Sequence, residues 1–158
     1  MSRICLIISL ALFALTAMAQ KKKEIKKLGI RSVTCKEITT SQTLNDSKTS
    51  YNADGKVTEE IKYNEDGSLL SSTRYKYNGN GDVVMEIEFD EKNVIREIRK
   101  IKYNPLQQKI EELFLDRDNK LQKKYTYLYN SKGLKTERKT YDASGKHISS
   151  KQYTYEYK

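Results

Sequence analysis

The chain is short of the residues from which enzymes build metal and nucleophile sites: one histidine, two cysteines and no tryptophan among 158 residues. A histidine-based metal cluster is therefore excluded, and a Ser-His-Asp relay could be assembled only around His147. Proline is rarer still than glycine, one against seven, so collagen-like and proline-rich architectures are excluded. No apolar run reaches the roughly 20 residues that a membrane-spanning helix needs, and no transmembrane segment is expected.

The longest apolar run, Ile4 to Leu15, follows the basic Arg3 and precedes the small-residue site Ala17-Met18-Ala19. This is the pattern of a secretory signal peptide cleaved after Ala19. The mature chain is then expected to start at Gln20 and to be secreted, periplasmic or extracellular. Cys5 leaves with the signal, so no lipid anchor is encoded. Cys35 remains without an intramolecular partner and reads as a small, half-buried apolar residue.

Charge is plentiful. Thirty Lys and Arg face 21 Asp and Glu, a formal net charge of +9. Loss of Arg3 leaves 29 against 21, or +8, on the mature chain. Such composition alone leans toward disorder, but 12 tyrosines at regular positions argue for a packed fold.

Their regularity defines a repeat. Along Tyr51, Tyr63, Tyr77, Phe89, Tyr103, Leu115, Tyr129, Tyr141 and Tyr155 the interval alternates strictly between 12 and 14, a 26-residue unit of two related halves. Four residues after each of the first eight stand Gly55, Gly67, Gly81, Asn93, Gln107, Asn119, Gly133 and Gly145. Seven of these eight are Gly or Asn, the types that most readily take a left-handed backbone conformation. Stretches such as Asn52-Ala53-Asp54-Gly55 predict a type I turn closed by a left-handed bulge, with the first Asn or Asp hydrogen-bonding to the backbone two residues on. Pro105, at the second turn position of Asn104-Pro105-Leu106-Gln107, has the φ that position requires.

The runs between turns, from 56–63 to 146–155, alternate between a shorter and a longer length and are rich in Tyr, Ile, Val and Thr. They predict strands, and connections this short join antiparallel neighbours. Because 12 and 14 are even, alternation predicts one apolar face of odd-numbered residues and one charged face carrying Lys62, Arg74, Lys76, Arg96, Lys100, Lys102 and Lys124. Ile30 to Ser50 predicts one or two further strands, and the thin apolar content of 134–141 predicts a less buried strand. The expected fold class is all-β: an antiparallel up-and-down meander of about 8–10 strands, curled or barrel-like. The expected organisation is a signal peptide (1–19), a basic arm (20–29) and a single β-repeat domain (30–158).

The turn units Tyr51-Asn52-Ala53-Asp54-Gly55, Tyr63-Asn64-Glu65-Asp66-Gly67, Tyr77-Asn78-Gly79-Asn80-Gly81, Tyr129-Asn130-Ser131-Lys132-Gly133 and Tyr141-Asp142-Ala143-Ser144-Gly145 resemble the tyrosine-aspartate (YD) repeats of the Rhs class of bacterial surface and secreted proteins. The resemblance covers about residues 51 to 158. The family's units are usually longer, and its large members build shells around a toxin, for which this chain has no cargo domain. The resemblance implies a secreted β-repeat module that binds or scaffolds.

The residues themselves offer no catalytic constellation. Each of the turn glycines Gly55, Gly67, Gly81, Gly133 and Gly145 has a backbone role, which leaves no phosphate-cradling loop. Glu59-Glu60 and Glu111-Glu112 are strand neighbours and point to opposite faces, so neither pair converges for acid-base work. Glu86 and Glu88 share a face and read as a solvated ladder. Asp116-Arg117-Asp118-Asn119 lacks the glycine and distal glutamate of a calcium loop. Neither a metal nor a cofactor is expected, and the chain is read as non-enzymatic.

What remains is surface. Lys100, Lys102 and Lys124 on the charged face are candidate contacts for anionic glycans, lipopolysaccharide or an envelope protein, since basic surfaces attract such polymers over a screening length. Nucleic acid is disfavoured. Tyr153, Tyr155 and Tyr157, near one end of the sheet, are the candidate aromatic contacts. The alternative is a β-barrel carrier enclosing a small hydrophobic ligand.

Overall fold

The structure is a computed structural model, and it describes residues 22–157. The signal sequence with its cleavage site, Cys5 and Lys21 lie outside the described residues. The fold is all-β, ten antiparallel strands in an up-and-down meander. Contacts group the chain into two units, 1–67 and 68–158.

The first unit holds a short helix, α1 (residues 22–27), and strands β1 (Ser32–Ile38), β2 (Thr43–Tyr51) and β3 (Val57–Tyr63) in sequential antiparallel order. The basic arm is thus partly helical, and it is anchored by Ile25, 5% exposed. Lys26 Nζ reaches Asp54 Oδ1 at 3.0 Å, a hydrogen bond and charge that hold the Asp54 carboxyl below the usual carboxylate range. Gly55 fits this contact for two reasons. Its φ is +71°, and a Cβ there would meet the Lys22 carbonyl oxygen at 2.7 Å.

The second unit holds β4 (Leu69–Tyr77), β5 (Val83–Phe89), β6 (Ile95–Tyr103), β7 (Lys109–Leu115), β8 (Leu121–Tyr129), β9 (Lys135–Asp142) and β10 (His147–Gln152). Each of these strands pairs with its sequence neighbours in this unit, and β4 does not pair with β10, so the unit is an open sheet and not a barrel. No helix lies in it, and within the unit extensive packing is confined to adjacent strands. It is a single layer.

The turns form for the reason the sequence predicts. All eight positions four residues beyond the pre-turn residue have positive φ, including Asn93 at 59°, Gln107 at 59° and Asn119 at 61°. The first turn residue closes the loop with its own side chain. Asn104 Oδ1 accepts from the amides of Leu106 (3.0 Å) and Gln108 (2.9 Å), and Asp116 Oδ1 from those of Asp118 (2.9 Å) and Lys120 (3.0 Å). Asn52, Asp90, Asn130 and Asp142 do the same. Across these bulged turns Tyr51 pairs with Val57, Tyr77 with Val83, Phe89 with Ile95 and Leu115 with Leu121.

The expected division into one apolar and one charged face is corrected. Just inside strand β3 and each strand from β5 to β10, the register slips by one. Tyr77 pairs with Val83 but Lys76 with Met85, leaving Val84 as the extra residue. The same second bulge falls at Thr58, Arg96, Ile110, Gln122, Thr136 and Ile148. A bulge turns every later residue of its strand to the opposite side. Odd residues of the short strands therefore join even residues of the long ones.

Both faces consequently bury apolar groups. Ile101, Phe114 and Tyr127 are buried on one face (face A), and Phe89, Ile98 and Leu115 on the other (face B). With no second layer over either face, the stems of long polar side chains supply cover while their charged ends stay wet. Arg74 lies over the Phe89 ring at 4.6 Å and Lys123 over Phe114 at 4.3 Å. Two smaller expectations also change. Cys35 is exposed, because it stands in β1 beside a bulge and every residue of β1 is exposed. Strand β9, paired on both sides, is half-buried; the exposed strand of the second unit is β10, at the edge.

Candidate functional site

The registers assign the strand side chains of the second unit to a face. Face A carries Glu86, Glu88, Glu97, Glu112 and Asp142 together with Arg99, Lys109, Lys123, Lys135, Arg138 and Lys151. Five carboxylates thus meet six register-paired cations on that face, and Arg96, the unpaired bulge residue of β6, reaches Glu88 there. Face B carries Arg74, Lys76, Lys100, Lys102, Lys124 and Lys139 against Glu111 and Glu137, six cations and two carboxylates. The two faces differ in charge, although both hold apolar residues.

The centre of face A is Glu112, 4% exposed. Its Oε1 accepts from Lys109 Nζ at 2.7 Å and lies 3.6 Å from Arg99 Nη1, and its Oε2 accepts from the Tyr127 hydroxyl. Burial alone would raise the carboxyl pKa. The hydrogen bonds from Lys109 and Tyr127, with the charges of Lys109 and Arg99, outweigh burial and leave it below its ordinary value. Tyr127 is pushed well above the usual phenol range, by burial first and by its bond to Glu112 second. Both groups therefore keep one protonation state through the neutral pH range: the carboxylate stays charged and the phenol stays protonated. This is the setting of a structural knot. A general acid or base would need a pKa near the working pH.

Beside it lies a depression of 260 Å³ lined by Thr73, Tyr75, Glu86, Glu88, Glu97 and Arg99. Arg99 pairs with Glu86, and Arg96 reaches Glu88 at 3.4 Å. Glu86 and Glu88 do share a face, as expected, and Glu111 and Glu112 do point apart. Another depression, 460 Å³, is lined by Lys22, Lys23, Lys26, Asp54 and Lys56 in the first unit. Neither is the apolar chamber that a carrier of a hydrophobic ligand needs. Among the described residues no group of three or more His, Cys, Asp or Glu is placed to hold a metal. His147 is exposed, edge-on to Tyr141 at 5.5 Å and 3.0 Å from Ser150 Oγ.

The candidate lysines do share face B, but they divide. Lys100 and Lys124 flank Leu113 in one cross-strand row, whereas Lys102 lies in the next row and pairs with Glu111 at 2.7 Å. The residue the sequence reading passed over as a contact is Lys76, which joins that first row through Met85. Its signal was a spacing: positions 76, 100 and 124 are evenly placed, at an interval slightly shorter than the repeat, because an antiparallel register falls back along the chain as strands are crossed. Tyr153, Tyr155 and Tyr157 are exposed. The Tyr155 hydroxyl donates to the Lys135 carbonyl at 2.7 Å, as Tyr129 does to Lys109 and Tyr103 to Val83. It thus continues a lacing contact of the repeat. Lys132 stands 4.2 Å from the Tyr157 ring centroid.

No protein-family model matches the chain, and no curated protein matches it. Among solved structures it is similar to a porin-like protein from Bacteroides uniformis, at 16% identity and TM-score 0.40, covering 75% of this chain. The chain spans about half of that protein, 49%. It is also similar to a protein of unknown function from Bacteroides fragilis, at 12% identity and TM-score 0.44, covering 80% of this chain and 95% of the other. A third similarity is to TarM, at 13% identity and TM-score 0.33, covering 80% of this chain and 22% of the other. No function is carried over from them.

Proposed function

We propose that this chain is a secreted, non-enzymatic β-repeat module of the YD type that acts at the cell envelope and binds anionic glycans or other envelope polymers. The observation that supports the reading is the asymmetry of face B, where six cations meet two carboxylates. Lys76 and Lys100 on that face make no ion pair with any described residue. A face kept wet only for solubility would serve as well with charge closer to balance, as on face A. The leader sequence supports export, and the shortage of histidine together with the firmly held protonation states of Glu112 and Tyr127 supports a role without catalysis.

The test is an array of glycans and lipids probed with the protein at low and at physiological salt. Binding to acidic polymers should weaken steeply between the two, because exposed charges are screened over about 8–10 Å. Protein from the native host should begin at Gln20. Salt-independent binding of a neutral sugar would shift the site to the exposed tyrosines, co-purification of a lipid would favour a carrier, and no binding at all would refute the proposal.

A further inference from the structure

We infer that the row Lys76, Lys100 and Lys124 on face B recognises an acidic polysaccharide in which a uronate alternates with a neutral sugar. This rests on the envelope-polymer reading above and narrows it to one polymer class and three residues.

The row is fixed by register. Lys76 pairs with Met85, Met85 with Lys100, Lys100 with Leu113, and Leu113 with Lys124. Cation and apolar side chain thus alternate across five adjacent strands, β4 to β8. None of these side chains is buried, and Met85 and Leu113 are half-buried. Neighbouring strands lie about 4.8 Å apart, so the ammonium-bearing positions recur about every 9.6 Å and the apolar saddles fall midway. Lys124 Nζ sits 4.6 Å from the Tyr141 ring centroid, a contact that positions the ammonium without neutralising it.

That alternation selects among polyanions. A chain with one carboxylate per disaccharide places a charge and then the C–H face of a neutral ring, which matches lysine and then Met or Leu. Duplex nucleic acid carries a charge about every 1.7 Å of its axis, far denser than the row, and offers no apolar face to the saddles. Polyphosphate is likewise charged without interruption, and lipid headgroups have no fixed spacing. At an ordinary twist of about 20–25° per strand, four steps carry the row through roughly a quarter turn, so a bound chain spirals with the sheet.

The experiment measures affinity of the chain for three probes of equal total charge: an oligosaccharide alternating glucuronate with N-acetylglucosamine, an oligogalacturonate charged at every ring, and inorganic polyphosphate. The alternating oligosaccharide should bind at least tenfold tighter than polyphosphate and several-fold tighter than oligogalacturonate. The triple variant K76Q/K100Q/K124Q should lose at least tenfold on that probe. K92Q/K120Q/K146Q, which removes the same charge from exposed turn lysines, should lose less than twofold. Should the first triple melt early, Lys76→Gln alone, at the exposed end of the row, is expected to lose about threefold. Equal losses in the two triples, or no preference among the probes, would overturn the row while leaving general polyanion binding intact. Absence of binding to any of the three would sink both.

Discussion

Glutamine in place of Glu112 tests whether the carboxylate at the centre of face A is a structural knot. The Glu112 side chain is 5% exposed and meets Lys109 Nζ at 2.7 Å, the Tyr127 hydroxyl, and Arg99 at 3.6 Å. Hydrogen bonds to a charged group contribute roughly 1.5–3 kcal/mol, and breaking a fully buried pair costs about 3–5 kcal/mol. Two features lower the second figure here. The Lys109 and Arg99 side chains are about a third exposed, at 35% and 31%, and Arg99 keeps Glu86 as a partner. Glutamine also retains the shape and an oxygen for Tyr127. The expected loss is therefore about 2 kcal/mol at neutral pH, between the neutral and the fully buried cases.

Acid supplies the control. The folded pKa of Glu112 lies below the reference value of 4.5. A carboxyl with a depressed folded pKa stabilises the native state fully above its unfolded pKa, and that contribution fades as pH falls through the folded value. The gap between wild type and Glu112→Gln should be widest at pH 7, narrow as pH drops below the ordinary glutamate range, and largely close once the native carboxylate is protonated. Urea unfolding followed by far-ultraviolet circular dichroism and tyrosine fluorescence measures it at each pH. The same gap at pH 7 and in strong acid would show that side-chain shape, not charge, holds the site; no gap at pH 7 would show that Lys109 and Tyr127 are as well served by water.

Gly81→Val places a β-branched residue at φ +92° and should cost about 2 kcal/mol or more, whereas Ser131→Ala, at an exposed turn position, should stay within about 0.5 kcal/mol; similar thermal melts for the two would contradict the turn assignment. Gln107→Gly relieves a left-handed non-glycine residue at φ 59°. The relief of about 1–2 kcal/mol exceeds the added entropy of the unfolded chain, about 0.4–1 kcal/mol, so the variant should gain about 0.5–1 kcal/mol. A lower urea midpoint for that variant would mean that the Gln107 side chain does something the backbone argument omits.

The sequence disclosed the features that demand a particular residue chemistry and concealed those that do not. A left-handed turn position selects Gly or Asn, so the spacing of such residues located the turns, and the strands from β3 to β9 fall within one residue of the runs between them. The second bulge has no such requirement. Its extra residues are Thr58, Val84, Arg96, Ile110, Gln122, Thr136 and Ile148, as varied a set as a strand can hold, because the conformation it needs is open to any L-residue. Even-numbered spacing between turns therefore looked like constant parity, although one residue in each of these seven strands was being used to reverse it. Exposed Ile110 and Ile148 are the trace this leaves, apolar groups at positions where the pattern called for charge.

The reversal is also what makes face B chemically specific. Lys76, Lys100 and Lys124 are even-numbered and lie on the nine-residue strands β4, β6 and β8; Met85 and Leu113 are odd-numbered and lie on the seven-residue strands β5 and β7. Without the bulges at Val84 and Ile110, Lys76 would pair with Val84 and Lys100 with Glu112, and Met85 and Leu113 would face the opposite side. One extra residue per hairpin converts a face on which lysines would lie among Glu86, Glu88 and Glu112 into a row in which cations are spaced by two strands and separated by apolar contacts. Selectivity for a polymer with alternating charge follows from that spacing, and it resides in the register and not in any residue taken alone.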